Sequence, residues 1–102
     1  MSNLKVDLLR AANGEKIEAV VVGCAPDDLD GWDQTYPPMS WDEAAPLLDY
    51  EFDSGFGCVE CHAVYAWTAS LVLFVTNYDG HTYVNFIPRN PQDCTPHMPG
   101  GG

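Results

Sequence analysis

Between residues 17 and 88 there is no lysine and no arginine; the whole chain of 102 residues holds four, Lys5, Arg10, Lys16 and Arg89. A phosphate backbone is bound through such cations, so direct nucleic-acid binding is not expected. Docking on an anionic membrane surface is disfavoured for the same reason. No apolar run approaches the roughly 18–20 residues that cross a bilayer. The opening Met1-Ser2-Asn3-Leu4-Lys5-Val6-Asp7 lacks the basic-then-apolar order of a secretory signal. The expectation is a soluble cytoplasmic protein. Also missing are a Gly-x-Ser-x-Gly elbow, a phosphate-cradling glycine loop and a His-x-x-x-His pair, so no catalytic residue is assigned and a non-enzymatic role is expected.

What is abundant is negative charge. Fifteen Asp and Glu give a formal net charge of −11. The stretch 17–88 carries Glu18, Asp27, Asp28, Asp30, Asp33, Asp42, Glu43, Asp49, Glu51, Asp53, Glu60 and Asp79. With no cation among them, they are expected to project a negative field toward a partner with a basic surface. Asp27, Asp28, Asp30 and Asp33, with Asp49, Glu51 and Asp53, form the expected partner-binding set. Aromatic residues interleave with these carboxylates, and aromatics dominate interface hot spots. Trp41, Tyr50 and Phe52 are expected in the core; Trp32, Tyr36 and Phe56 are the expected contact residues.

The chain length and its 46% hydrophobic content suit one small folded domain, placed at 1–97 with a glycine-rich tail at 98–102. Leu4, Leu8 and Ala11, with Leu9 and Ala12, recur at helical spacing over 3–12. Ser2 or Asn3 can cap this helix, and Asn13-Gly14 can end it. The competing reading is a hairpin into 17–22, but Leu8-Leu9 and Ala11-Ala12 break its alternation. Residues 17–22 are β-branched and read as a strand. Residues 25–38 read as a long loop. Ser40-Trp41-Asp42-Glu43 is a capping box, and Pro46 limits the helix it starts to about two turns. Leu48, Tyr50 and Phe52 alternate with Asp49, Glu51 and Asp53 as a half-buried strand. Residues 62–68, 71–77 and 82–88 read as three strands joined at Ala69-Ser70 and Asp79-Gly80. The expected class is α+β: an antiparallel β-meander with one or two short helices packed on one face.

Four cysteines allow several chemistries. Cys58-Val-Glu-Cys61-His62 has the form of covalent haem attachment, but no export signal precedes it and a strand-like segment follows. Cys58 and Cys61 with Cys94 and His97 make two two-spaced pairs, a donor set suited to structural zinc. Strands 62–68 and 82–88 run parallel in a meander, so residues 89–97 would have to double back about 20 Å to close that site. The preferred reading has no cofactor and four reduced thiols; a zinc-stabilised domain with an unspecified partner is the alternative. A calcium loop fails, because aligning Gly31 puts Pro26 and Pro37 at ligand positions.

The segments Asp49-Tyr-Glu-Phe-Asp-Ser-Gly-Phe-Gly57, Ala66-Trp-Thr-Ala-Ser70, Tyr78-Asp-Gly80, Pro88-Arg-Asn-Pro91 and Met98-Pro-Gly-Gly101, with 17–23, carry a resemblance. The chain resembles a family of small acidic accessory proteins of actinobacterial, chiefly mycobacterial, bacteriophages. The resemblance covers most of the chain except 25–38. It implies a non-virion product in the host cytoplasm that binds and modulates a host protein; an acidic surface can do so by imitating DNA phosphates. It transfers no catalytic residue.

Overall fold

The computed structural model describes residues 2–24, 31, 33–53, 55, 60–78 and 81–96. The readings on Asp27, Asp28, Asp30, Trp32, Phe56, Cys58, His97, the Asp79-Gly80 turn and the tail 98–102 lie outside these residues. The elements are β1 (Ser2–Asn3), α1 (Leu4–Ala11), β2 (Ala19–Val22), α2 (Trp41–Leu48), β3 (Glu51–Phe52), β4 (Val64–Trp67), β5 (Leu71–Tyr78) and β6 (His81–Pro88). Four strands form an antiparallel sheet in the order β2-β4-β5-β6, and β1 pairs with β3 in a two-stranded ribbon. The class is α+β, with the meander β4-β5-β6 at its centre.

Local chemistry explains the helix ends. Asn3 caps α1 by accepting the Val6 N–H on its side-chain oxygen at 3.1 Å, one of the donors that a helix start leaves unpaired. Past the helix Asn13 and Gly14 take φ of 54° and 86°, where asparagine and glycine are least penalised. Ser40 caps α2 by accepting the Glu43 N–H at 3.2 Å, and its hydroxyl donates to the Glu43 carboxylate at 3.2 Å. With Pro46 inside, α2 stops after eight residues.

Leu4, Leu8 and Ala12 lie on one face of α1 and its C-cap, one turn apart, and are buried, while Val6 and Leu9 are exposed. They join Ala44 and Leu48 of α2 and Val20, Val64, Ala66 and Leu73 of the sheet in a single core. Each fully buried leucine contributes about 1.5–3 kcal/mol. Asp7 sits partly buried beside this helix face, its oxygen 3.7 Å from Arg10. Burial raises its carboxyl above the ordinary value, and Arg10 opposes that rise.

Some expectations change. The extended segment expected from Leu48 to Phe52 is mostly not a strand: Leu48 ends α2, and only Glu51 and Phe52 pair, with Asn3 and Ser2. Of the three aromatics expected inside, only Phe52 is buried; Trp41 and Tyr50 are half-buried and pack against the core. The strand expected at 62–68 is four residues long and starts at Val64. At the close of β2, Gly23 donates its N–H to the Ala63 carbonyl at 2.7 Å, and a Cβ at this position would come within 3.0 Å of that oxygen. A side chain here would have to push the Ala63 backbone aside by a few tenths of an ångström, and glycine avoids that.

Candidate functional site

The sheet has two unlike faces. Residues opposite one another across paired strands share a face, and the register defines two such rows. Ala19, Trp67, Val72 and Ile87 make one row; Val21, Tyr65, Phe74 and Asn85 make the next. Thr76 and Tyr83 continue the face on β5 and β6. None of these ten residues belongs to the core built with the helices. Tyr65 is 59% exposed and Ile87 50%, and the Tyr65 and Trp67 rings meet edge to face at 6.4 Å. Both helices pack on the opposite face. At about 4.8 Å between strands, the open face is roughly 15 Å across. The four strands contain no Asp, Glu, Lys or Arg. A protein of net charge −11 therefore presents a charge-free aromatic surface.

A cavity of about 460 Å³ opens at the edge of this face, lined by Val21, Gly23, Cys24, Gly31, Gln34, Thr35, Tyr36, Ala63, Val64, Tyr65 and Val75. Tyr36, expected as a free contact residue, is half-buried in this wall, and its hydroxyl donates to the Gly31 carbonyl at 3.2 Å. Asp33 is exposed in the same segment. Asp49, Glu51 and Asp53 are exposed around the β1–β3 ribbon. The expectation that the central carboxylates lack cations is corrected at two positions: Asp49 lies 3.9 Å from Lys5 and accepts from Asn3 at 3.0 Å. Glu18 accepts from the Arg89 guanidinium at 2.7 Å. Tertiary folding brings to them cations that lie outside the stretch 17–88.

Cys61 and Cys94 differ sharply. Cys61 is buried in the core, and burial, helped by the negative charge of Asp7, pushes its thiol up to about 11. Cys94 is exposed beyond β6. β4 and β6 both run antiparallel to β5, so Cys61 precedes the start of one strand while Cys94 follows the end of the other. A thiol held this far up is protonated at neutral pH and is a poor nucleophile. Among the described residues, no three His, Cys, Asp or Glu side chains converge as a metal group. On alkylation of the native protein, Cys94 is expected to label rapidly and Cys61 only after denaturant is added, as read by peptide mass mapping. Early labelling of Cys61 would show that the core is open.

The reading of 62–68 as a strand puts His62 at its start. It lies before β4 instead, and the Tyr50 hydroxyl accepts its backbone N–H at 2.9 Å and shares a 2.6 Å bond with its Nδ1. Burial, ahead of smaller effects, raises the Tyr50 phenol above its ordinary value. The arrangement pins the segment before β4 to the end of α2.

The open face was not singled out from the sequence, although a signal was present. Most strand positions facing away from the helices, Tyr65, Trp67, Val72, Phe74, Tyr83 and Ile87, are aromatic or apolar, with Thr76 and Asn85 the polar ones, whereas a solvated face ordinarily alternates to polar. Two helices of eight residues can cover only one side of such a sheet. In comparisons with protein-family models, curated proteins and solved structures, the chain matches none.

Proposed function

We propose that this chain is a non-enzymatic binding protein, an accessory product of an actinobacterial phage, that docks on a basic surface of a host protein. The observation that carries this reading is the charge-free aromatic face of β2-β4-β5-β6, turned away from both helices and partly exposed, on a strongly acidic chain. Interface centres favour large amphipathic aromatics such as Tyr65 and Trp67, and carboxylates around them steer a cationic partner and raise the association rate. Glu18 stands one residue before β2, and Asp33 lies in the segment that lines the cavity beside Tyr65. The resemblance to phage accessory proteins supports a host protein as partner. No helix among the described residues is long and apolar enough to cross a membrane.

Immobilised protein in a host lysate is expected to capture a basic protein, and the captured pair can then be measured with purified components. Trp67→Ala should weaken the complex by about 2 kcal/mol, near a thirtyfold change in Kd, with circular dichroism unchanged. Replacing Asp28, Asp30 and Asp33 by Asn should mainly slow association. Raising salt from about 50 to 500 mM shortens the Debye length severalfold and should weaken the wild type more than the triple variant. A complex indifferent to both the Trp67 change and the salt would place the interface elsewhere.

A further inference from the structure

Resting on the basic-partner reading, we infer that the partner is held by strand addition: an extended cationic segment pairs with the outer edge of β6, with a Lys or Arg reaching Asp7. The sheet has two edges, and they are treated differently. The β2 edge is closed, because Val20 and Met39 exchange both backbone bonds at 2.8 Å. β6 is the other edge, eight residues long.

Which groups β6 offers follows from bond parity. The Arg89 N–H donates to the Ser70 carbonyl at 2.8 Å, so in this antiparallel ladder Ile87, Asn85, Tyr83 and His81 turn their backbone groups toward β5. Thr82, Val84 and Phe86 must then turn theirs outward; Thr82 is buried at 3% exposure, so the accessible edge is that of Val84 and Phe86. Among the described residues no backbone group bonds to them. A row of such donors and acceptors is what a strand-forming peptide completes.

Between this edge and α1 runs a groove of about 320 Å³, with Asp7, Arg10 and Ala11 on the helix wall and Thr82, Val84 and Phe86 on the strand wall. An added strand points alternate side chains into this groove. Asp7 is the carboxylate there, its side chain only 19% exposed, while its neighbour Arg10 is 78% exposed and 3.7 Å away. Arg10 is free to swing into solvent, and a ligand cation in the groove would compensate the partly desolvated carboxylate more fully. The remaining side chains would meet apolar surface, since β6 carries no carboxylate and Phe86 and Ile87 are half exposed. A second copy of this chain is the less favoured occupant, because pairing would bring together two molecules of charge −11.

The test uses isotopically labelled full-length protein and three capped hexapeptides: alternating Lys-Val, alternating Glu-Val, and Lys-Val methylated at alternate backbone nitrogens. The Lys-Val peptide should shift and protect the amides of Val84 and Phe86. The Glu-Val and methylated peptides should bind about tenfold more weakly or worse, and Asp7→Asn should weaken Lys-Val binding by about three- to tenfold. The methylated peptide removes the strand bonds without altering the protein, so no folding defect can mimic the result. Equal binding of methylated and unmethylated peptides, no binding of Lys-Val, or shifts confined to the segment around Asp33 would each overturn strand addition. The last of these would leave the basic-partner reading standing. Sedimentation showing a dimer that itself protects Val84 and Phe86 would assign the edge to a second copy and overturn the proposal.

Discussion

Leu73→Ala is expected to destabilise the protein by about 3 kcal/mol, within the range for truncating a fully buried leucine. Leu73 is completely buried on the central strand β5, opposite Ala66 on β4 and Phe86 on β6. Ala66 is too small to fill the resulting cavity, and Phe86, half exposed at the edge, would have to leave its own position to do so. With a urea slope of about 1–3 kcal/mol/M for a domain of this size, the unfolding midpoint should fall by about 1–3 M. Val72 supplies the control. It is the next residue on the same strand but faces the open side, so Val72→Ala should cost well under half as much. Equal costs at the two positions would mean that the open face is covered in solution.

Thr68→Val should cost about 1–3 kcal/mol despite preserving the side chain's shape, because it removes a hydrogen bond to the Glu15 carboxylate and leaves the Leu71 N–H without its hydroxyl acceptor. Thr68 is fully buried, and its hydroxyl donates to Glu15 at 2.6 Å while accepting the Leu71 N–H at 2.9 Å. Glu15 completes the knot by accepting from the Ser70 hydroxyl at 2.5 Å and from the Ser70 N–H at 3.1 Å. These bonds, the one from the Ser70 hydroxyl foremost, hold the Glu15 carboxyl below its ordinary 4.5. As pH falls below 4.5 the unfolded chain takes up this proton first. The stability that Glu15 adds is therefore complete above 4.5 and is lost as pH drops through its lower folded value. Asp7 works the other way, since burial raises it above 3.8, and acid relieves the cost of its charge. In urea titrations from pH 7 to about pH 3, Glu15→Gln should be less stable than wild type at neutral pH, and the gap should narrow toward acid. A constant gap would mean that the carboxylate's charge contributes nothing to the knot.

Much of the fold was legible because it rests on chemistry within a few residues. Asn3 and Ser40 as caps, Asn13-Gly14 as a helix end, Pro46 as a limit and the three strands of the meander all follow from side chains acting on neighbouring backbone. The apolar spacing of Leu4 and Leu8 likewise marked the buried face of α1 before any partner was known. Less was legible wherever a residue's role depends on what lies across the fold. Arg89 reaches back 71 positions to Glu18, and Lys5 reaches 44 to Asp49, so local charge counting overstated the isolation of these two carboxylates. Leu48 alternates with Tyr50 and Phe52 as a strand would, yet α2 extends to it because its side chain packs in the helical core. Whether Tyr65, Trp67 and Phe74 are core or surface could not be read from strands apolar on both sides. By itself the sequence determined the charge, the helix caps and most of the elements, because propensity, capping and ionisation act locally. Only the tertiary structure decided which face of the sheet the two helices cover, because strands apolar on both sides do not mark it, and with that which aromatic residues are turned away from the helices.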